Sequence, residues 1–324
     1  MRLIRIGLFM SISFFIIVST TYACTGARPL AMGGAFVGVA DDANVTYWNP
    51  AALPYISKPQ ITYTGLIHDR DVINYDDWVS LIPFIDDNIE KDVGSFGIFG
   101  MFNRDKFSID TVGSGSVLFN VDEEWEDAWV GLSYGREIIE NFSMGVNVRF
   151  TQKQYKLKVA VGSLSAGAED DDSAVGIDLA MYYKWDKFTF GLLVQDLNDP
   201  EYKILGSILR YKTNVRPGVA YRPDDKTILS LELYDVGDAN NIRFGAERWF
   251  FNNYALRLGG YNLNSNTKTS RAVTGGLGIK IPDVNIYETI KIKDLFVDYG
   301  LMYWTDMIGD YEDFTHILSI TMQF

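Results

Sequence analysis

From Lys58 to the C-terminus the chain is a succession of segments, each about ten residues long, in which apolar and polar side chains alternate. Period two is the period of a β-strand, so each segment presents one apolar and one polar face. Phe142, Met144, Val146, Val148 and Phe150 share a face, opposite Ser143, Gly145, Asn147 and Arg149. The split recurs at Val175, Ile177, Leu179, Met181 and Tyr183, at Tyr254, Leu256 and Leu258, and at Leu295, Val297, Tyr299, Leu301 and Tyr303. Aromatics stand near the ends of many of these faces, as at a membrane interface. Many strands with one apolar face each require either two packed sheets or a closed barrel, and a barrel turns the apolar face outward to lipid.

Strands are expected at about 58–68, 92–102, 106–112, 127–135, 142–157, 174–184, 188–196, 213–222, 227–236, 241–251, 254–263, 271–281, 294–304 and 314–324, fourteen in all. Every second connection is short (103–105, 136–141, 185–187, 223–226 and 252–253), and most of the others are long (69–91, 113–126, 158–173 and 197–212). Such asymmetry is that of an outer-membrane barrel with short periplasmic turns and long outer loops. Two connections depart from it: 237–240 is short on the outer side and 282–293 long on the inner side. The last strand, Phe314 to Phe324, carries Phe314, Leu318, Ile320, Met322 and Phe324 on one face and ends the chain on an aromatic. A soluble sandwich shares the alternation; the strand lengths and the 14% aromatic content lean against it.

Residues 26 to 56 read differently. They are rich in small residues, contain Gly33, Gly34 and Gly38, and close on Asn49-Pro50-Ala51. The pattern Gly-Ala-Arg-x-x-x-Met-Gly-Gly-Ala-Phe-x-x-x-Ala-Asp-Asp-x-x-x-x-Tyr-Trp-Asn-Pro-Ala-x-Leu, from Gly26 to Leu53, resembles the N-terminal signature of the PorV/PorQ-like outer-membrane proteins, relatives of the long-chain fatty acid transporter FadL. The stretch from Ile242 to Tyr261 resembles them more loosely. The resemblance implies an N-terminal hatch inside the lumen of a fourteen-stranded barrel, with Gly33, Gly34, Asn49, Pro50 and Ala51 as its gate. It also implies a function, either FadL-like transport of hydrophobic small molecules or a PorV-like part in receiving or shuttling secreted proteins. For the first, Met32, Phe36, Val37, Tyr47 and Trp48 are the candidate ligand-lining residues.

The expected division is therefore a signal peptide over 1–23, a hatch over 24–57 and a transmembrane antiparallel β-barrel over 58–324, located in the outer membrane. Arg2 and Arg5 precede an apolar run from Leu8 to Val18, too short to span a bilayer, and Ala23 stands at the expected cleavage point. Cys24, the only cysteine, excludes an internal disulfide and any multi-cysteine metal site, and its place after the cut leaves lipidation open. Loss of Arg2 and Arg5 with no acid takes the formal charge from −13 to −15, against nucleic-acid binding. The partners expected are outer-membrane lipid and the barrel-insertion machinery, besides the hydrophobic molecules or secreted proteins.

Inside such a barrel the polar faces carry Arg149, Asp178, Arg216, Glu232, Arg243, Glu247, Arg257, Lys280 and Asp298, five bases against four acids, which predicts pairing across the lumen and to the hatch. No hydrolase elbow or phosphate loop occurs, and His68 and His316 have no metal-ligand neighbours, so neither an enzyme nor a metal or cofactor is expected. Acids cluster at 69/71, 76/77, 86/87, 122–126 and 169–172, all read as outer loops, where solvation or Ca²⁺ explains them.

Overall fold

The structure, a computed structural model, describes residues 25–68, 75–82, 93–113, 116–238, 240–264, 271–286, 290–305 and 313–324. The expected signal peptide over 1–23, Cys24 and the acids at 69/71 and 86/87 lie outside the described residues. Fourteen antiparallel strands close into one barrel. They are β1 (Gln60–His68), β2 (Tyr75–Ile82), β3 (Ser95–Gly113), β4 (Ser116–Ile139), β5 (Phe142–Val161), β6 (Leu164–Trp185) and β7 (Phe188–Gln195). After a separate hairpin of β8 (Glu201–Ile204) and β9 (Ser207–Arg210) come β10 (Asn214–Asp224), β11 (Thr227–Tyr234), β12 (Asn241–Phe250), β13 (Tyr254–Tyr261), β14 (Ala272–Ile286), β15 (Ile290–Trp304) and β16 (Asp313–Gln323). β7 pairs with β10, and β16 returns to β1 with Gln60 opposite Gln323 and His68 opposite Thr315. Closure satisfies the backbone of both terminal strands.

The number fourteen matches expectation through two errors that cancel. The segments 92–102 and 106–112 are one strand, β3, and 103–105 is no turn. In compensation, β2 lies within the supposed loop 69–91, where Asp76 and Asp77 had hidden the alternation of inward Trp78, Ser80 and Ile82 with outward Val79 and Leu81. Of the supposed loops 113–126 and 158–173, residues 113, 116–126, 158–161 and 164–173 are strand, belonging to β3 to β6. Much of 282–293 is likewise strand, in β14 and β15, and 197–212 carries the β8–β9 hairpin.

Strands β3 to β6 run for 19, 24, 20 and 22 residues, whereas a tilted strand crosses a bilayer in about 9–11. Their excess projects from one end of the barrel, and the side-chain pattern changes where it begins. In β5 the outward residues Met144, Val148 and Phe150 give way to Gln152, Gln154, Lys156 and Lys158. In β4 the outward Leu132, 62% exposed, and Val130 give way to Glu126 and Glu124. Outward charge is tolerable only where water replaces lipid, so the change marks the edge of the hydrocarbon layer. The acids at 122–126 and 169–172 are therefore strand residues, not loop residues. Glu124 takes an ion pair from Arg104 at 2.7 Å and from Lys106 at 3.0 Å. Although partial burial works the other way, the hydrogen bonds from these two bases hold its carboxyl down at about 2.

At the opposite end the turns are tight. Asn141, Asp186 and Asn252 adopt left-handed backbone (φ 64°, 50° and 64°), which short polar side chains tolerate best after glycine. The sequence supplies them where strands must reverse within two or three residues.

Candidate functional site

Residues 25–56 lie inside the barrel. They form a five-residue helix α1 (Ala27–Ala31), a one-turn helix α2 (Val45–Trp48) and a 3₁₀ turn η1 (Pro50–Tyr55), joined by irregular backbone. With so little regular structure, the segment leaves many backbone groups without partners of its own, and the wall supplies them. Ala27 N–H donates to Ser319 at 2.8 Å, and Thr274 both accepts from Gly33 N–H and donates to Ala31 C=O, each at 3.0 Å. Thr189 donates to Gly38 C=O at 2.7 Å, Tyr182 to Val39 C=O at 3.1 Å, and Ser143 to Ala51 C=O. These side chains, donors and acceptors together, occupy the inward faces of five separate strands.

The approach is close because glycine meets the segment from the wall. A Cβ on Gly191 would lie 2.1 Å from Val37 O, and one on Gly145 would lie 2.4 Å from Ala51 N. On the segment itself Gly33 has φ +65° and its own Cβ would lie 2.4 Å from Phe244 O, so both the turn and the contact require glycine. Gly34 follows with φ +66° against the Tyr261 ring. Asn49 accepts from Ala51 N–H at 3.1 Å and donates to Val37 C=O at 2.9 Å and Met181 C=O at 3.2 Å, so one side chain ties the turn at Pro50 both to the segment and to β6.

The expected lumenal charges all face inward, and the partners lie mostly along the wall rather than across the lumen. Arg216 and Glu232, on β10 and β11, pair at 2.8 Å, with Arg243 of β12 at 3.8 Å. The other Glu232 oxygen accepts the N–H groups of Phe36 and Val37, both at 3.0 Å. Arg149 pairs with Asp178 at 3.5 Å and with Asp196. Arg257 bridges Glu247 and Asp298, both at 2.7 Å, over Gly278, whose absent side chain leaves the gap the pair needs. Lys280 pairs with Asp294 at 3.1 Å.

A second set of charges was not read from the sequence. Arg28 of the segment bonds Glu247 through both Nε and Nη2 (2.7 and 2.9 Å) and also reaches Asp41 and Asp42. Asp41 in turn meets Arg222 of β10 at 3.1 Å. Arg28 stood in plain view in the Gly-Ala-Arg motif, but nothing local says what it faces. This network borders a cavity of about 190 Å³ at the short-turn end, lined by Arg28, Asp41, Asp42, Arg257, Asp298 and Trp249 among others. At the projecting end Lys153 and Asp127 form a buried pair beneath the rings of Tyr202 and Tyr211, which carry the β8–β9 hairpin over the lumen. Asp172 and Asp170 hold that hairpin by accepting the N–H groups of Lys203 (2.7 Å) and Leu205 (2.6 Å).

Of the candidate lining residues, Met32, Phe36 and Val37 are completely enclosed between segment and wall, and Trp48 donates its indole N–H to Thr25 C=O at 2.8 Å. Tyr47 is only half-buried and belongs to an aromatic group with Trp78, Phe99 and Trp129. Trp78 was missed with its strand, whereas the inward parity of Trp129 with Gly131 and Ser133 was available. His316 faces outward beside the Tyr299 hydroxyl (2.7 Å). Among the described residues no group of three or more His, Cys, Asp or Glu is arranged to hold a metal.

No protein-family profile matches the chain, and no curated protein sequence does. Solved structures do. The toluene transporter TbuX of Ralstonia pickettii superposes with a TM-score of 0.60 at 12% identity, covering 94% of this chain and 99% of that one. The toluene transporter TodX of P. putida gives 0.59 at 12% identity, covering 93% and 99%. A FadL homologue of Pseudomonas aeruginosa gives 0.54 at 10% identity, covering 93% and 97%. The chain thus has the closed barrel fold of FadL-type proteins over nearly its whole length.

Proposed function

We propose that the protein is an outer-membrane channel for hydrophobic small molecules, with residues 24–57 as the hatch and the projecting strands on the outside of the cell. One observation carries this reading: an apolar, lipid-type outer band encloses a lumen that the N-terminal segment fills, in a fold shared end to end with a FadL homologue and two toluene transporters. The segment is joined to the wall only where it runs into β1, and among the described residues it is held there by side-chain hydrogen bonds, ion pairs and packing with no strand pairing, so the barrel can exist without it. Such a plug can move while the wall stays intact. The secreted-protein reading rests on the N-terminal motif alone.

The test is uptake into liposomes containing the purified protein. The parent should take up a hydrophobic small molecule without passing small hydrophilic sugars. Deletion of residues 26–53 should leave a barrel that inserts and leaks sugars, and Asn49→Ala with Pro50→Ala should leak more weakly. Equal behaviour of parent, deletion and double variant would remove the hatch from the mechanism.

A further inference from the structure

Four aromatic rings meet on the lumenal side where β2, β3 and β4 run together. In the strand register Met101 stands between Trp78 on one side and Trp129 on the other, so the two indoles are two strands apart in one row. Trp78 stacks on Phe99 at 5.5 Å between centroids. Tyr47 enters this row from the hatch, edge-on to Trp78 at 5.8 Å and parallel to Trp129 at 6.5 Å with 17° between planes. Both arrangements are favoured by the quadrupoles of the rings. Arg149 covers Trp129 with its guanidinium carbon 4.9 Å from the ring centre.

Packing of rings accounts for the shape but not for the polar atoms. Nε1 of Trp78 and Nε1 of Trp129 are both buried, and neither has a hydrogen-bond partner among the described residues; Trp78 as a whole is 0% exposed. An indole N–H is a donor only, and buried donors are nearly always paired. Tyr47 does not serve them: it meets both indoles through its ring and bonds neither Nε1. A ring therefore occupies the cleft while the donors beside it stay unused.

We propose that the cleft between Trp78 and Trp129 is a binding site for a single aromatic ring bearing a hydrogen-bond acceptor, and that Tyr47 is the resident ring such a ligand displaces. The proposal rests on the channel reading and names its substrate class: aryl ketones and related acceptor-bearing aromatics rather than plain alkanes. It also ties the ligand to the hatch. Tyr47 lies two residues before Asn49, and its neighbour Thr46 bonds the Ser80 hydroxyl at 2.9 Å, so a ligand in the cleft acts directly on the part of the hatch that the wall holds there.

Calorimetric titration of the detergent-extracted full-length protein tests this with acetophenone and ethylbenzene, which share a shape and differ in one carbonyl. Acetophenone should bind roughly three- to tenfold more tightly, the effect of one net hydrogen bond. Trp78→Phe and Trp129→Phe should each reduce that preference. Together they should bring the ratio near one while ethylbenzene still binds, and Tyr47→Ala should tighten both ligands. Heat-modifiable migration shows which variants are folded, and the ratio in the parent needs no variant at all. Equal affinities in the parent, a preference that survives the double substitution, or weaker binding in Tyr47→Ala each overturns the proposal while leaving a channel. If neither aromatic binds but liposomes take up alkanes, the site alone fails. If uptake fails as well, so does the channel.

Discussion

Glu232 is the residue whose loss should most directly free the hatch. Its carboxylate is wholly buried, accepts two bonds from Arg216 (2.9 and 2.8 Å) and offers its second oxygen to the N–H groups of Phe36 and Val37. Glu232→Ala leaves Arg216 and Arg243 with one acid fewer between them and strands two backbone donors. Removal of one partner from a buried ion pair costs roughly 3–5 kcal/mol, and the wall strands themselves keep every ladder bond. Most of that cost falls on the docked hatch, because the undocked hatch lets water reach all four groups. At about 1.4 kcal/mol per decade the undocked population should rise on the order of a hundred- to several-thousandfold. Glu232→Gln retains one acceptor oxygen and should give a smaller rise. Single-channel recording in planar bilayers should show frequent openings in Glu232→Ala, and amide exchange should quicken at Phe36 and Val37 while β11 and β12 stay protected. Closed channels together with unchanged exchange would refute the assignment of Glu232 as the anchor.

Glycine on the wall gives a steric counterpart: Gly191→Val places a branched side chain where even a Cβ would lie 2.1 Å from Val37 O, so the hatch should be expelled and sugar leakage should appear in a barrel that still migrates as folded. Labelling on intact cells of a Cys24→Ser background should modify a cysteine placed at Gly162, in the turn between β5 and β6, and spare one at Lys187; the opposite pattern would invert the orientation. The β8–β9 hairpin should loosen in acid. Backbone hydrogen bonds from Lys203 and Ser173 lower Asp172, and those from Thr213 lower Asp199, both from the ordinary value near 3.8. Groups lowered on folding stabilise above their unfolded value and lose that contribution as pH falls through the folded one. Amide exchange at Lys203 and Leu205, corrected for its intrinsic pH dependence, should therefore be constant from neutral pH to about 4 and rise below it; constancy throughout would mean the carboxylates do not hold the hairpin.

The inward–outward sense of most strands was legible because a barrel wall is a two-sided solvent boundary, and period two records it residue by residue; the count of fourteen came out only because the division of β3 offset the loss of β2. Phe142 to Phe150 could be assigned to lipid and Ser143 to Arg149 to the lumen without knowing any neighbour. That rule fails where both faces meet water. Beyond Phe150 and Val130 the outward positions turn polar and charged, so long strands read as acidic loops, although Gly113 with Ser116 and Gly162 with Ser163 marked the true reversals. The N-terminal segment was recognisable as a distinct element from its glycines and Asn49-Pro50-Ala51, because turns and close approaches restrict residue type locally. Its contacts were not recognisable. Which oxygen Phe36 and Val37 would find, that Arg28 would bond Glu247 219 residues away, and that Tyr47 would stand between Trp78 and Trp129 depend on strand register around a closed ring. Register is fixed only when all fourteen strands pair at once, so those choices belong to the tertiary structure alone.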